Sequence, residues 1–147
     1  MTPAQQTINR FLVDVFNDVL RHEEENLAKG PYKNLSVSEM HVLEAVESAG
    51  EAETMSELAT RLRVTASTLT VAVKTLEAKG YLVRRRPDED RRKVIVGLTD
   101  SARAALARHA AFHEQLIHQV SDRLTDRQMD QLADTLRQIH GFFSNIQ

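Results

Sequence analysis

The chain has 147 residues, 41% of them hydrophobic and only 5% aromatic, and it contains no cysteine. That length suits one domain or one subunit of an intimate oligomer, the lack of cysteine excludes disulfides and thiolate metal sites, and no apolar run approaches membrane-spanning length. The net charge of −2 conceals an asymmetry: from Arg61 to Lys93 ten Lys or Arg stand against four Asp or Glu, so this segment is basic and the remainder acidic, a distribution suited to docking on phosphate.

The predicted elements run as follows. Thr2 and Pro3 form a helix start, a hydroxyl cap followed by Pro at the first helical position. Ile8, Phe11, Leu12, Val15 and Val19 then recur at helical spacing, with a second line through Phe16, Leu20 and Leu27. This helix should stop near Lys29-Gly30-Pro31. Ser36 to Glu39 is a capping box for a second helix through Met40, Leu43 and Val46, ending before Gly50. Thr54 to Glu57 is another, opening a short third helix through Leu58, Ala59 and Leu62. Thr65 caps a fourth helix with Leu69, Val73 and Leu76 on its core face, closing at Gly80.

Two strands, Tyr81 to Arg86 and Lys93 to Leu98, flank a turn of Pro87, Asp88, Glu89 and Asp90. Thr99 caps a long fifth helix, and Thr125 to Gln128 is the capping box of a sixth that runs almost to the end. The first, fifth and sixth helices carry more apolar residues than a small core can cover: Leu116, Ile117, Val120, Leu124, Met129, Leu132, Leu136, Ile139, Phe142, Phe143 and Ile146 all lie in the last two. Packing against a second copy resolves this; a monomeric bundle is the alternative. With no secretory signal ahead of the first helix pattern, a cytoplasmic protein is expected.

From Met55 to Thr99 the order is helix, turn, helix, strand, arginine-rich tip, strand. This is the order of a winged helix-turn-helix, which sets one helix in the DNA major groove and a hairpin beside it. The reading helix begins Thr65, Ala66, Ser67, Thr68, Thr70, with Lys74 one turn on; small hydroxyls there can meet base edges or phosphates. On the wing stand Arg84, Arg85, Arg86, Arg91, Arg92 and Lys93. An Arg at such a tip can enter a narrow minor groove, and Asp90 is expected to orient Arg92 by a charge-assisted bond.

These residues carry a resemblance. Asp90-Arg91-Arg92-Lys93-Val94-Ile95-Val96-Gly97-Leu98-Thr99 is similar to the Asp-x-Arg and Leu-Thr wing pattern of the MarR family of bacterial transcription regulators, and Leu58-Ala59 through Gly80-Tyr81-Leu82 to its helix-turn-helix. The likeness spans essentially all of residues 1–147 as one subunit. It implies a mainly α fold with a small β-hairpin wing: a winged helix-turn-helix head over 36–99, and a helical dimerisation region over 1–35 and 100–147 in an intertwined homodimer. It further implies binding of double-stranded DNA at a pseudo-palindromic operator, usually as a repressor. Ser67, Thr68, Thr70 and Lys74 would read the major groove and Arg92 the minor groove.

Four residues outside this head bear on what is sensed. His109 and His113 share one face of the fifth helix, with Glu24 on the first helix and His41 on the second. Such a set can chelate zinc, and the four match the ligand pattern of the family's zinc-responsive branch; a buried polar cluster without metal is the alternative. A second resemblance competes. Glu23-Glu24-Glu25, Ser38-Glu39-Met40-His41 and His109-Ala-Ala-Phe112-His113 are similar to the branch that represses fatty-acid synthesis genes. That likeness implies a small-molecule or acyl-carrier-protein-linked effector in an apolar cavity, lined by Phe11, Val15, Leu43, Val46 and Phe112. No cofactor beyond a zinc ion is suggested. No nucleophile with a nearby base and no phosphate loop points to an enzyme; a winged helix that binds only an acidic protein partner is the remaining class.

Overall fold

A helix begins where a side chain satisfies its first free backbone N–H groups, and the caps read from the sequence are in place. The computed structural model describes residues 1–50 and 53–144, the side chain of Phe143 excepted; Ile146 therefore lies outside the described residues. Within them the order is α1 (Pro3–Lys29), α2 (Val37–Ala49), α3 (Met55–Leu62), α4 (Ala66–Ala78), β1 (Leu82–Arg85), β2 (Ile95–Leu98), α5 (Asp100–Ser121) and α6 (Asp126–Ser144). Reciprocal capping boxes Thr2–Gln5, Ser36–Glu39 and Thr54–Glu57 open α1, α2 and α3. The Thr54 N–H, 2.8 Å from Glu57 Oε2, holds that carboxyl below its ordinary pKa. No described helix is long and apolar enough to cross a membrane.

Residues 1–109 form one compact unit and residues 110–147 another. The first has a core of Leu, Val, Met and Ala: Met40, Leu43, Leu69, Val73, Leu76 and Leu82 have almost no accessible surface. The stripe Leu69, Val73, Leu76 is the predicted inner face of α4. Ala102, Ala105 and Leu106 bring the start of α5 into the same core.

The end of α4 is a Schellman motif. The Tyr81 N–H bonds the Leu76 carbonyl at 2.9 Å and the Gly80 N–H the Glu77 carbonyl at 3.0 Å. Gly80 has φ +83°, open to glycine without steric cost. Thr99 caps α5 through the Ala102 N–H and also donates to the Gly80 carbonyl at 2.7 Å, tying the exit of the hairpin to the end of α4. Lys79 holds the start of α2: its Nζ lies 2.6 Å from the Asn34 carbonyl and 2.8 Å from both Glu39 oxygens.

The strands are shorter than the sequence predicts. Pairing runs only from Leu82↔Leu98 to Arg85↔Ile95. Tyr81 lies just outside the paired strand residues, its carbonyl taking the Thr99 N–H at 3.1 Å and its hydroxyl donating to Asn34 Oδ1 at 2.7 Å, and residues 86–94 are drawn out by tight turns. An isolated bridge from Thr54 to Ile95 seats the hairpin against the start of α3, a contact without a sequence signal.

In the second unit, Thr125 N–H donates to Gln128 Oε1 at 2.9 Å as the cap of α6. Ile117, Val120, Leu132, Leu136 and Phe142 there are exposed, as are Ile8, Phe11, Leu12, Val13 and Phe16 on α1 of the first unit.

Candidate nucleic-acid interface

With Leu69, Val73 and Leu76 turned inward, 3.6 residues per turn leaves Ala66, Ser67, Thr68, Val71 and Lys74 exposed on α4. The hydroxyls at its start are already organised. Thr65 Oγ1 accepts the Thr68 N–H at 3.1 Å, donates to Thr68 Oγ1 at 2.8 Å and lies 3.1 Å from Ser67 Oγ. Thr65 is thus the cap, and Ser67 and Thr68 carry the outward oxygens. Thr70 is half-buried and donates to the Ala66 carbonyl at 2.8 Å, which commits its proton and leaves its oxygen as an acceptor.

The wing places its arginines in different roles. Arg84 is held by Glu77 of α4, with Nε and a terminal nitrogen 2.8 and 2.7 Å from Glu77 Oε2. This bond lowers the Glu77 pKa and raises that of Arg84. Arg86 reaches the Arg91 carbonyl at 3.3 Å across the base of the tip, and Arg91 faces Asp88 at 3.5 Å in solvent. Asp90 does hold Arg92, but through the main chain: Oδ1 accepts the Arg92 backbone N–H at 3.1 Å. The expected bond to the guanidinium is replaced by an Asx turn, because a short side chain reaches the N–H two residues on more readily than a distant side-chain head.

Thr70, Arg84, Arg92 and Lys93 line one groove of about 500 Å³ with Thr54, Met55 and Ser56 at the start of α3. Reading helix, bracing helix and wing therefore converge on one basic concavity.

The sequence comparisons accord with this geometry. Residues 33–93 match the MarR family. The crystal structure of FabT from Streptococcus pneumoniae in complex with DNA is 32% identical in sequence, with a TM-score of 0.87 over 97% of this chain and 99% of FabT. The chain belongs to the MarR family. The transcriptional regulator ZitR of Lactococcus lactis subsp. cremoris (strain MG1363) is 27% identical over 105 residues, covering 69% of this chain and 71% of ZitR. The transcriptional repressor YetL of Bacillus subtilis (strain 168) is 32% identical over 81 residues, 55% of this chain and 48% of YetL. As in other MarR-family regulators, the DNA-binding element here is a winged helix.

The predicted sensing residues fall in several places. Glu24 is exposed on α1, and His41 is exposed on α2. There His41 lines an apolar cavity of about 320 Å³ with Val42, Leu62, Val64, Leu69 and Ala72. The residue that α1 brings to His109 is Glu23, which continues the Phe16, Leu20, Leu27 line at helical spacing; Glu24 stands about 100° further round. Glu23 Oε1 is 3.7 Å and Glu44 Oε1 3.3 Å from His109 Nε2, with Glu23 and His109 both buried. His113 follows one turn later on α5. Of the proposed effector lining, Leu43 is wholly buried and Val46 nearly so, both serving the core, while Phe11 is 54% exposed. Val15 is half-buried, and Phe112 packs edge-on against His113.

Proposed function

We propose that this protein is a homodimeric transcriptional repressor that acts in the cytoplasm by binding, not by catalysis, at a pseudo-palindromic operator. The observation that carries the reading is the convergence of Thr70, Arg84, Arg92 and Lys93 on one groove beside the exposed face of α4. The likeness to a DNA-bound structure over nearly the whole chain supports it. Ser67, Thr68 and Lys74 then meet the major groove and Arg92 the minor groove, with Thr65, Arg86, Asp90, Arg91 and Lys93 shaping or supporting the contact. Replacing Arg92 by Ala should weaken operator binding by about 1–3 kcal/mol and reduce its salt dependence. Unchanged affinity and salt slope in a gel-shift titration would remove Arg92 from the mechanism.

The regulated genes are those of fatty-acid synthesis and the effector is an acyl-type group. The similarity of Glu23–Glu25, Ser38–His41 and His109–His113 to the fatty-acid branch supports this. Phe11, Val15 and Phe112 are the apolar candidates left with accessible surface. Adding long-chain acyl carrier protein should change operator affinity, and its having no effect would reject this effector.

A second reading rests on the buried set around His109. Two carboxylates, Glu23 and Glu44, on the one imidazole of His109 make a donor set suited to zinc, a Lewis acid that would cross-link α1, α2 and the start of α5. Equilibrium dialysis against zinc tests it: one ion per subunit, lost in His109→Ala, supports the metal. No uptake leaves these residues as a structural polar cluster.

A further inference from the structure

Val71 stands at the centre of the exposed face of α4. Two residues on from Leu69, at about 100° per residue, it lies opposite the buried Leu69, Val73, Leu76 stripe, between Ser67 one turn before and Lys74 one turn after. Its side chain is 66% exposed although it sits mid-helix. Nothing in folding asks for valine there. It covers no core residue, and a β-branched side chain is a poorer helix former than Ala or Lys at such a position. An apolar side chain flanked by a hydroxyl and an ammonium suits a base edge that is itself apolar. In the major groove that edge is the thymine 5-methyl group.

We infer that Val71 is a specificity-determining residue, reading one thymine methyl in each operator half-site. The inference rests on the DNA-reading role proposed above. It makes one position of the half-site sensitive to shape and hydrophobicity, whereas Ser67, Thr68 and Lys74 supply polar contacts on either side.

The test selects operators from random DNA with the full chain, then measures binding to duplexes in which each thymine of one half-site is replaced in turn by deoxyuridine. Wild type should lose about fourfold in affinity at one thymine, the equivalent of one methyl group no longer buried. Val71→Ala should bind the parent operator about fourfold more weakly and lose nothing further at that deoxyuridine. Val71→Ile should keep the sensitivity, and Val71→Ala should melt no lower than wild type. Equal deoxyuridine losses in wild type and Val71→Ala, or no deoxyuridine effect at any position, would overturn the role of Val71 while leaving DNA reading intact. Failure to select any shared sequence would instead overturn the DNA-reading role beneath it, and the inference with it.

Discussion

Glu77 on α4 and Arg84 on β1 form the bond that fixes the angle between reading helix and wing. A single carboxylate oxygen of Glu77 takes two guanidinium nitrogens at 2.7 and 2.8 Å. Arg84 is therefore a brace more than a free cation, although it lines the basic groove. Its charge is compensated before DNA arrives.

That compensation separates it from Lys74. Lys74→Ala should lower the slope of log affinity against log salt by about 1, the signature of one phosphate contact. Arg84→Ala should change the slope much less. Equal slope changes would show that Arg84 lets go of Glu77 on the operator. The pair also has a pH signature. The Glu77 carboxyl is held below its ordinary value of 4.5 by Arg84, so its stabilisation is complete above that value and is lost as pH falls through the lower folded-state value. Glu77→Gln should cost at most about 0.5–1 kcal/mol near neutrality, given the pair's partial exposure, and should converge with wild type in acid. A difference that persists in acid would point to packing instead of charge.

At the wing tip, Asp90 acts through the Arg92 N–H. Asn carries the same acceptor oxygen at the same distance from the backbone, so Asp90→Asn should bind operator almost as wild type does. Asp90→Ala should lose about 1–2 kcal/mol, comparable to a lost capping bond, with little change in melting temperature. If Asn and Ala variants were equally impaired, the carboxylate charge and not the turn would be what matters.

The helix-turn-helix corner contains Arg63 at φ +55°, left-handed backbone that a side chain makes costly by roughly 1–2 kcal/mol. Part of that cost is returned as greater unfolded-state freedom when glycine is introduced. Arg63→Gly should therefore stabilise the chain by about 0.5–1 kcal/mol, read by urea denaturation. A destabilised variant would mean that the Arg63 side chain supports the corner.

Ile8, Phe11, Leu12, Val13 and Phe16 expose roughly half or more of their surface, Phe16 the most at 69%. A row of this kind on one helix marks an interface. Phe16→Glu should give a monomer in sedimentation and abolish tight operator binding while the helix content is kept. A Phe16→Glu protein that remained a dimer would remove α1 from the interface.

Much of this fold was legible because its local signals agree. The capping boxes at Ser36, Thr54 and Thr125, Gly80 and the α4 stripe each follow from rules that act within one turn, and each stands where the sequence placed it. Two kinds of feature were harder to see. The pairing of Asp90 with Arg92 is legible in the sequence, but whether it runs through the side chain or the backbone N–H depends on the turn that residues 86–94 adopt. In the candidate zinc set of Glu24, His41, His109 and His113, the carboxylate that α1 brings to His109 is Glu23 instead of Glu24; a step of about 100° in helical phase separates a core carboxylate from a solvent one. Glu44 carried a similar signal, one turn after Met40. Leu43 and Val46 belong to the core, and apolar character alone does not separate such a residue from one that lines a ligand cavity. The bridge from Thr54 to Ile95 joins residues far apart in sequence and had no local trace.

The central claim is that two copies of this head read one symmetric DNA site. Selection from random duplexes at moderate salt, followed by sedimentation of the protein with the selected fragment, tests it most directly. The predicted result is a pseudo-palindrome with half-sites about one helical turn apart, bound by two chains per duplex. Recovery of no shared motif, with binding that simply fades as salt rises, would contradict it and favour a winged helix that serves an acidic protein partner.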